Sequence, residues 1–103
     1  MSSTGPAAPG PAYVQVTARE FSLTLSRLEV PAGEVVVQYI NRGEDAHNLH
    51  LAAGDGSEPG ALGNTPSGAL ANLRVTLRPG SFTLFCSLPE HEAKGMKATL
   101  LVR

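Results

Sequence analysis

The chain has 103 residues, 42% of them hydrophobic, with eight Lys or Arg, nine Asp or Glu and a formal net charge of -1 at pH 7. This length predicts one domain with its own core. The balanced charge, without a basic run, excludes the strongly basic class of nucleic-acid-binding domains, so no nucleic-acid partner is expected. No apolar stretch approaches the roughly 20 residues that a membrane-spanning helix needs.

Residues 1–12 are rich in Ser, Gly, Pro and Ala. Little in this segment can be buried to offset its ordering entropy, so we expect a flexible tail or linker ahead of a domain at 13–103. The segment lacks the basic and apolar regions of a signal peptide. Its composition is similar to a linker after a removed leader or membrane anchor, which predicts a periplasmic or cell-surface protein. A cytosolic protein, or a frayed terminus with expression residues, is the alternative.

Short apolar runs between glycines and prolines predict an all-β domain. Apolar residues recur with a period of two, as in strands. In chain order the predicted strands are 13–18, a continuation through Phe21, Leu23 and Leu25, 35–40, a strand that contains His47, Leu49 and Leu51, 73–77, 82–86 and 98–102. With about seven or eight strands in total, the pattern indicates a Greek-key β-sandwich.

Residues 53–71 interrupt this pattern, because Gly, Pro, Ser, Asn and Ala dominate them. They are predicted to form a long loop with one short helical turn near Ala69–Ala71. Loops of this length are unusual in a small domain and are often functional or mobile.

Cys86, His91 and Met96 form a C-x4-H-x4-M run. Cys86 is the only cysteine, so it has no disulfide partner within the chain. It shares strand parity with Phe82 and Leu84, which directs its sulfur toward the apolar side. Taken singly, these residues would be a small buried hydrophobe, a surface histidine and core filler. Together, a thiolate, an imidazole and a thioether are the soft donors of a mononuclear copper site.

His47 adds a second imidazole from a remote strand connection, which would fix the site better than one flexible loop. Asn48 and Ser87 are candidates to link the two ligand segments by hydrogen bonds, and the Ser87 backbone N–H is a candidate donor to the Cys86 sulfur. Ordinary turn chemistry is the alternative for both. His50 has the opposite strand parity to His47, so we expect it on the surface or outside the donor group.

These motifs resemble those of the cupredoxins, the type 1 blue-copper family of plastocyanin, azurin, pseudoazurin and amicyanin. The similar segments are N-R-G-E-D-A-H-N at 41–48 and L-R-P-G-S-F-T-L-F-C-S-L-P-E-H-E-A-K-G-M at 77–96, within a resemblance that covers most of 13–103. The Cys-to-His interval is azurin-like and the His-to-Met interval plastocyanin-like, so no subfamily is assigned. A two-copper centre of the oxidase type would need a second cysteine near Cys86, which the sequence lacks.

The resemblance implies one copper ion with His47, Cys86 and His91 as equatorial ligands and Met96 as the axial ligand. It also implies that the carbonyl of Ala46 offers a distant contact. Copper bound in this way supports electron transfer rather than catalysis, so an enzyme is not expected.

The resemblance also places His91 at the exposed end of the sandwich, as the port for electrons. Leu88, Pro89 and Ala93 would surround it as a small apolar docking rim for transient redox donor and acceptor proteins. A monomer is expected. Two alternatives stay open: a protein that delivers or stores copper without redox turnover, and a metal-independent binding module that uses the 53–71 loop.

Overall fold

The computed structural model describes residues 10–103. Nine strands run in chain order: β1 (Ala12–Arg19), β2 (Ser22–Leu25), β3 (Glu29–Val30), β4 (Gly33–Asn41), β5 (His47–Ala53), β6 (Gly60–Thr65), β7 (Leu70–Leu77), β8 (Gly80–Phe85) and β9 (Lys97–Val102). Within residues 10–103 there is no helix long and apolar enough to cross a membrane.

The strands form two sheets, in the orders β2-β1-β4-β7 and β3-β9-β8-β5-β6. The pairs β1–β4 and β3–β9 are parallel and the others antiparallel. Neighbours in space are mostly not neighbours in sequence, as in a Greek-key sandwich. This arrangement confirms the predicted all-β sandwich, with β3 and β6 in addition to the predicted strands.

Among the residues that the structure describes, one hydrophobic core lies between the sheets, because alternate side chains of each strand point inward. β1 follows this alternation with Val14, Val16 and Ala18 buried, and β5 does so with Leu49 and Leu51. Further core residues are Val35, Val37, Tyr39, Phe82, Leu84, Leu100 and Val102.

The prediction of a long loop with a helical turn over 53–71 is wrong. β6 (Gly60–Thr65) pairs with β5 inside this segment, and Leu70 already begins β7. β6 is an edge strand, so backbone hydrogen bonds hold it without the apolar alternation of a core strand. Gly60 is needed there because a Cβ would lie 2.6 Å from the Val75 Cγ1 atom of the facing sheet.

Four chain segments meet at one end of the sandwich. β5 begins there with His47, β8 ends just before Cys86, and β9 begins just after Met96. β1 runs parallel to β4, so the residue after β1, Glu20, reaches the same end as the β4–β5 connection. The fold therefore gathers side chains that are remote in sequence.

Candidate metal centre

Three of the predicted donor side chains converge at this end of the sandwich. The ligand atoms of His47, Cys86 and His91 all lie within 4.8 Å of one another. Cys86 Sγ lies 4.0 Å from Nδ1 of His47 and 3.6 Å from Nδ1 of His91. Two donors bound to one ion at about 2.0–2.3 Å are separated by about this distance.

Burial isolates the centre from water. Cys86, His47 and Met96 are each 0% exposed, while His91 is half-buried. The predicted inward direction of Cys86 is found, and Phe82 and Leu84 on the same face of β8 are buried with it. His91 is thus the one member of this set whose ring reaches the surface.

Backbone hydrogen bonds join the three donor residues of the β8–β9 connection. Cys86 N–H donates to the Met96 carbonyl at 3.1 Å, and Met96 N–H donates to the His91 carbonyl at 3.0 Å. Gly95, with φ of 119°, provides the left-handed turn that brings Met96 back. Backbone hydrogen bonds therefore close this short loop on itself.

Asn48 links the two segments that carry the donors. Its Nδ2 donates to Ser87 Oγ at 2.8 Å, and its Oδ1 accepts the Ser87 backbone N–H at 2.7 Å. The expectation that this N–H donates to the Cys86 sulfur is therefore wrong, because the Asn48 oxygen is the better acceptor and already binds it. Tyr39 O–H donates to the Asn48 carbonyl at 2.8 Å, and burial raises the pKa of Tyr39, with a smaller contribution from the charge of Cys86.

His50 lies outside the donor group. Its Nδ1 lies 2.8 Å from Glu58 and its Nε2 lies 3.0 Å from Ser87 Oγ, while its ring stacks on Phe85. Strand alternation explains the separation, since His47 and His50 project from opposite faces of β5.

Sequence reasoning missed Glu20, which contacts the buried histidine. Its Oε2 lies 2.8 Å from Nε2 of His47. A carboxylate only accepts hydrogen bonds, so His47 Nε2 is the donor in this contact, and Nδ1 is the ring nitrogen that faces Cys86. The two residues lie 27 positions apart in the chain. An acidic residue at a strand end is usually solvated, so nothing in the sequence distinguishes Glu20 from the other acidic residues.

Glu20 is itself held by the β4–β5 connection. The backbone N–H of Asp45 donates to it at 2.8 Å, and the N–H of Glu44 lies 3.0 and 3.1 Å from its two oxygens. These backbone hydrogen bonds lower the pKa of Glu20 to about 2. The bond from Asp45 contributes most, and the hydrogen bond with His47 makes a smaller contribution. Glu20 is therefore an anion at neutral pH.

Asn41, which is 0% exposed, holds the β4–β5 connection by hydrogen bonds from the core side. Its Nδ2 donates to the carbonyls of Asp45 and Thr65, both at 2.8 Å, and its Oδ1 accepts the Gly43 N–H at 2.9 Å. Ala46, between this turn and His47, is exposed.

The exposed edge of the centre surrounds His91. Phe21 makes an edge-on contact with the His91 ring, with 5.1 Å between centroids, and Lys94 Nζ lies 4.8 Å from the Phe21 ring centroid. Pro89 and Ala93 are exposed and Leu88 is half-buried against the core. Phe21, which sequence reasoning did not assign to the site, therefore extends the surface around His91.

The donor set fits copper better than a harder ion. One thiolate, two imidazoles and one thioether favour a soft or borderline metal, and a His2Cys set with a Met is typical of electron-transfer copper. His47, Cys86, His91 and Met96 are arranged as a type 1 copper site.

Comparison with known proteins agrees with this site. The sequence matches the family model described as copper binding proteins, plastocyanin/azurin family, over residues 12–103. The chain therefore belongs to this family, the cupredoxins, whose members are electron-transfer proteins. A search of curated proteins finds no match.

Solved structures with the same fold include blue-copper proteins and an enzyme. Reduced auracyanin from Roseiflexus castenholzii has a TM-score of 0.74 at 17% identity, over 91% of this chain and 99% of its own. Rusticyanin from Thiobacillus ferrooxidans has a TM-score of 0.71 at 20% identity, over 91% of this chain and 79% of its own. A multicopper oxidase has a TM-score of 0.67 at 16% identity, over 88% of this chain and 41% of its own. These likenesses concern the fold alone.

Proposed function

We propose that this protein carries single electrons by means of one type 1 copper ion, with His47, Cys86 and His91 as equatorial ligands and Met96 as the axial ligand. The observation that carries the proposal is the convergence of one ligand atom each from His47, Cys86 and His91 within 4.8 Å of one another. Bound copper supplies the one-electron couple between Cu(I) and Cu(II). The protein holds the donors in place and admits electrons at one edge.

A carrier, rather than an enzyme, is supported by the closure of the centre. Three of the four donor residues are fully buried, and backbone hydrogen bonds connect Cys86, Met96 and His91. Four protein donors leave little space for a substrate, and a centre on rigid strands changes little between redox states. Both properties favour electron transfer over bond chemistry.

The half-buried ring of His91 is the proposed port. Leu88, Pro89 and Ala93 form the proposed docking rim, and redox partners would bind there transiently through less than about 1,200 Å² of total buried area. Donor and acceptor redox proteins are the proposed partners, and a monomer is the proposed active state.

Three residues next to the donor residues are proposed to support the centre: Asn48, Ser87 and Ala46. The reciprocal hydrogen bonds between Asn48 and Ser87 support a role in holding the two ligand segments together. Ala46, directly before His47, would offer its carbonyl as a distant contact.

The proposed compartment is the periplasm or the outer cell surface, which fractionation of cells that express the full-length gene would test.

Electron self-exchange tests the carrier against the copper-handling alternative. A carrier with this buried, preformed donor set should exchange electrons rapidly between its Cu(I) and Cu(II) forms, as measured by NMR line broadening in mixtures of the two. It should also release Cu(I) slowly to a chelator. Slow self-exchange with rapid Cu(I) release would instead support copper delivery or storage. Failure to bind copper tightly would support the metal-independent module.

A further inference from the structure

We propose that Glu20 is a positioning residue of the metal centre, which fixes the His47 ring by its hydrogen bond to Nε2 and, through its negative charge, favours the oxidised copper ion. This inference rests on the proposed function.

The contact between Glu20 and His47 can influence the metal centre through the imidazole ring. Glu20 Oε2 lies 2.8 Å from His47 Nε2, on the side of the ring away from the Nδ1 atom that faces Cys86. The His47 side chain is 0% exposed, so solvent reaches this hydrogen bond only from the side of Glu20, whose side chain is 25% exposed. A carboxylate that accepts the outer proton of a ligand histidine orients the ring and makes it a more basic donor.

The carboxylate is held independently of His47. Two backbone N–H groups, of Glu44 and Asp45, bind its oxygens. Gly43 leaves the space that it occupies, because a Cβ there would lie 2.6 Å from Oε1 and 2.7 Å from Oε2. A side chain restrained on two sides can impose a position on a third group, as an unrestrained surface glutamate cannot.

The two histidines of the centre therefore differ. His47 is buried and paired with an anion, whereas within residues 10–103 His91 has no hydrogen-bond acceptor on its outer nitrogen. A negative charge close to His47 stabilises Cu(II) more than Cu(I), because the interaction grows with the charge of the ion.

The test compares wild type with Glu20→Gln, Glu20→Ala and a matched control, Glu58→Gln. The control removes the same charge from a carboxylate that also lies 2.8 Å from a histidine, but this histidine, His50, is outside the donor group. Three quantities are measured for each protein: Cu(II) and Cu(I) affinity, reduction potential, and exchange with solvent of the His47 Nε2 proton, followed by NMR in the metal-free and Cu(I) forms.

We expect Glu20→Gln to lower Cu(II) affinity about tenfold or more, with a smaller loss for Cu(I). A tenfold difference between the two losses raises the potential of this one-electron couple by about 59 mV. In Glu20→Ala the His47 Nε2 proton should also exchange faster, even without metal. Glu58→Gln should leave the potential and the His47 proton unchanged.

The inference is overturned if Glu20→Gln retains the wild-type potential and affinities, or if Glu58→Gln shifts them equally. A purely structural role would appear as a lower unfolding temperature in the Glu20 variants with no change in potential or proton exchange. If Glu20→Ala does not fold, the nearly isosteric Glu20→Gln decides the question. A wild-type protein without a thiolate-to-copper band would contradict the proposed function itself, so the two failures are distinguishable.

Discussion

Two histidine–glutamate contacts of the same length, 2.8 Å, lie on opposite faces of β5. In one, the ring of His47 is buried beside Cys86; in the other, His50 packs outside the donor group against Phe85. The chemistry of the two pairs is alike, and their position on the strand separates them. A strand residue is thus assigned to the centre or to the surface by its parity.

The substitution Gly43→Ala should move the Glu20 carboxylate without removing it. The added Cβ would lie 2.6–2.8 Å from the end of the Glu20 side chain. Since that side chain is flexible, it should yield before the backbone does, at a cost of about 1 kcal/mol or less in the free energy of unfolding. The reduction potential should rise, in the same direction as in Glu20→Gln, as voltammetry would measure.

Gly54→Ala is the control for this substitution. A Cβ at Gly54 meets no atom within 4 Å, so its potential and stability should stay close to those of wild type. A Gly43→Ala protein with an unchanged potential would show that the placement of the carboxylate has no effect on the centre.

Parity and donor chemistry allowed the sequence to predict much of the site. Alternation in β5 and β8 directed His47 and Cys86 inward and His50 outward, and each is found there. The contact of Glu20 with His47 could not be predicted in this way. It depends on the parallel pairing of β1 with β4, and no residue pattern around position 20 indicates that pairing. The Ser87 N–H was misassigned since the sequence does not rank competing acceptors.

At the scale of the elements, the centre depends on how β5 is joined to the β8–β9 connection. Two hydrogen bonds between Asn48 and Ser87 bridge segments 39 residues apart. Each such bond contributes about 0.5–1.5 kcal/mol. Loss of both would let the His47 segment move relative to the Cys86 segment.

Asn48→Ala should therefore lower the free energy of unfolding of the metal-free protein by about 1–3 kcal/mol. It should also speed copper dissociation about tenfold or more, since outer hydrogen bonds of this kind tune metal affinity. Urea unfolding and competition with a chelator measure the two effects. Ser87→Ala removes only the hydroxyl and keeps the backbone N–H bond, so its effects should be smaller. Equal or larger effects in Ser87→Ala would contradict the bridging role of Asn48.

β6 shows why element prediction from this sequence was incomplete. The segment Gly60–Thr65 has the composition of a loop, and its side chains are mostly exposed or half-buried. Its pairing with β5 comes from backbone groups, which no side-chain pattern reports. Strands that fill the core, such as β1 and β8, were predictable because their side chains alternate.

For the whole molecule, we expect the apolar core to stabilise the sandwich even without the metal. Leu100→Ala in the metal-free protein should lower the free energy of unfolding by about 2–5 kcal/mol, because Leu100 is 0% exposed and the deletion leaves a cavity. Leu101→Ala, the same deletion on the opposite face of β9 where the residue is 42% exposed, should cost about 1 kcal/mol or less. Urea unfolding compares them, and equal losses would contradict the assigned faces of β9.

We expect the folded sandwich to present a preformed type 1 copper site. The most direct test is the absorption spectrum of the metal-free protein on titration with Cu(II), with Cys86→Ser as the control. We expect an intense blue or green thiolate-to-copper band that saturates at one ion per chain and bleaches reversibly on reduction. Cys86→Ser should stay folded and lack the band. A colourless wild-type complex, or a band that persists in Cys86→Ser, would show that Cys86 does not bind copper in a type 1 site.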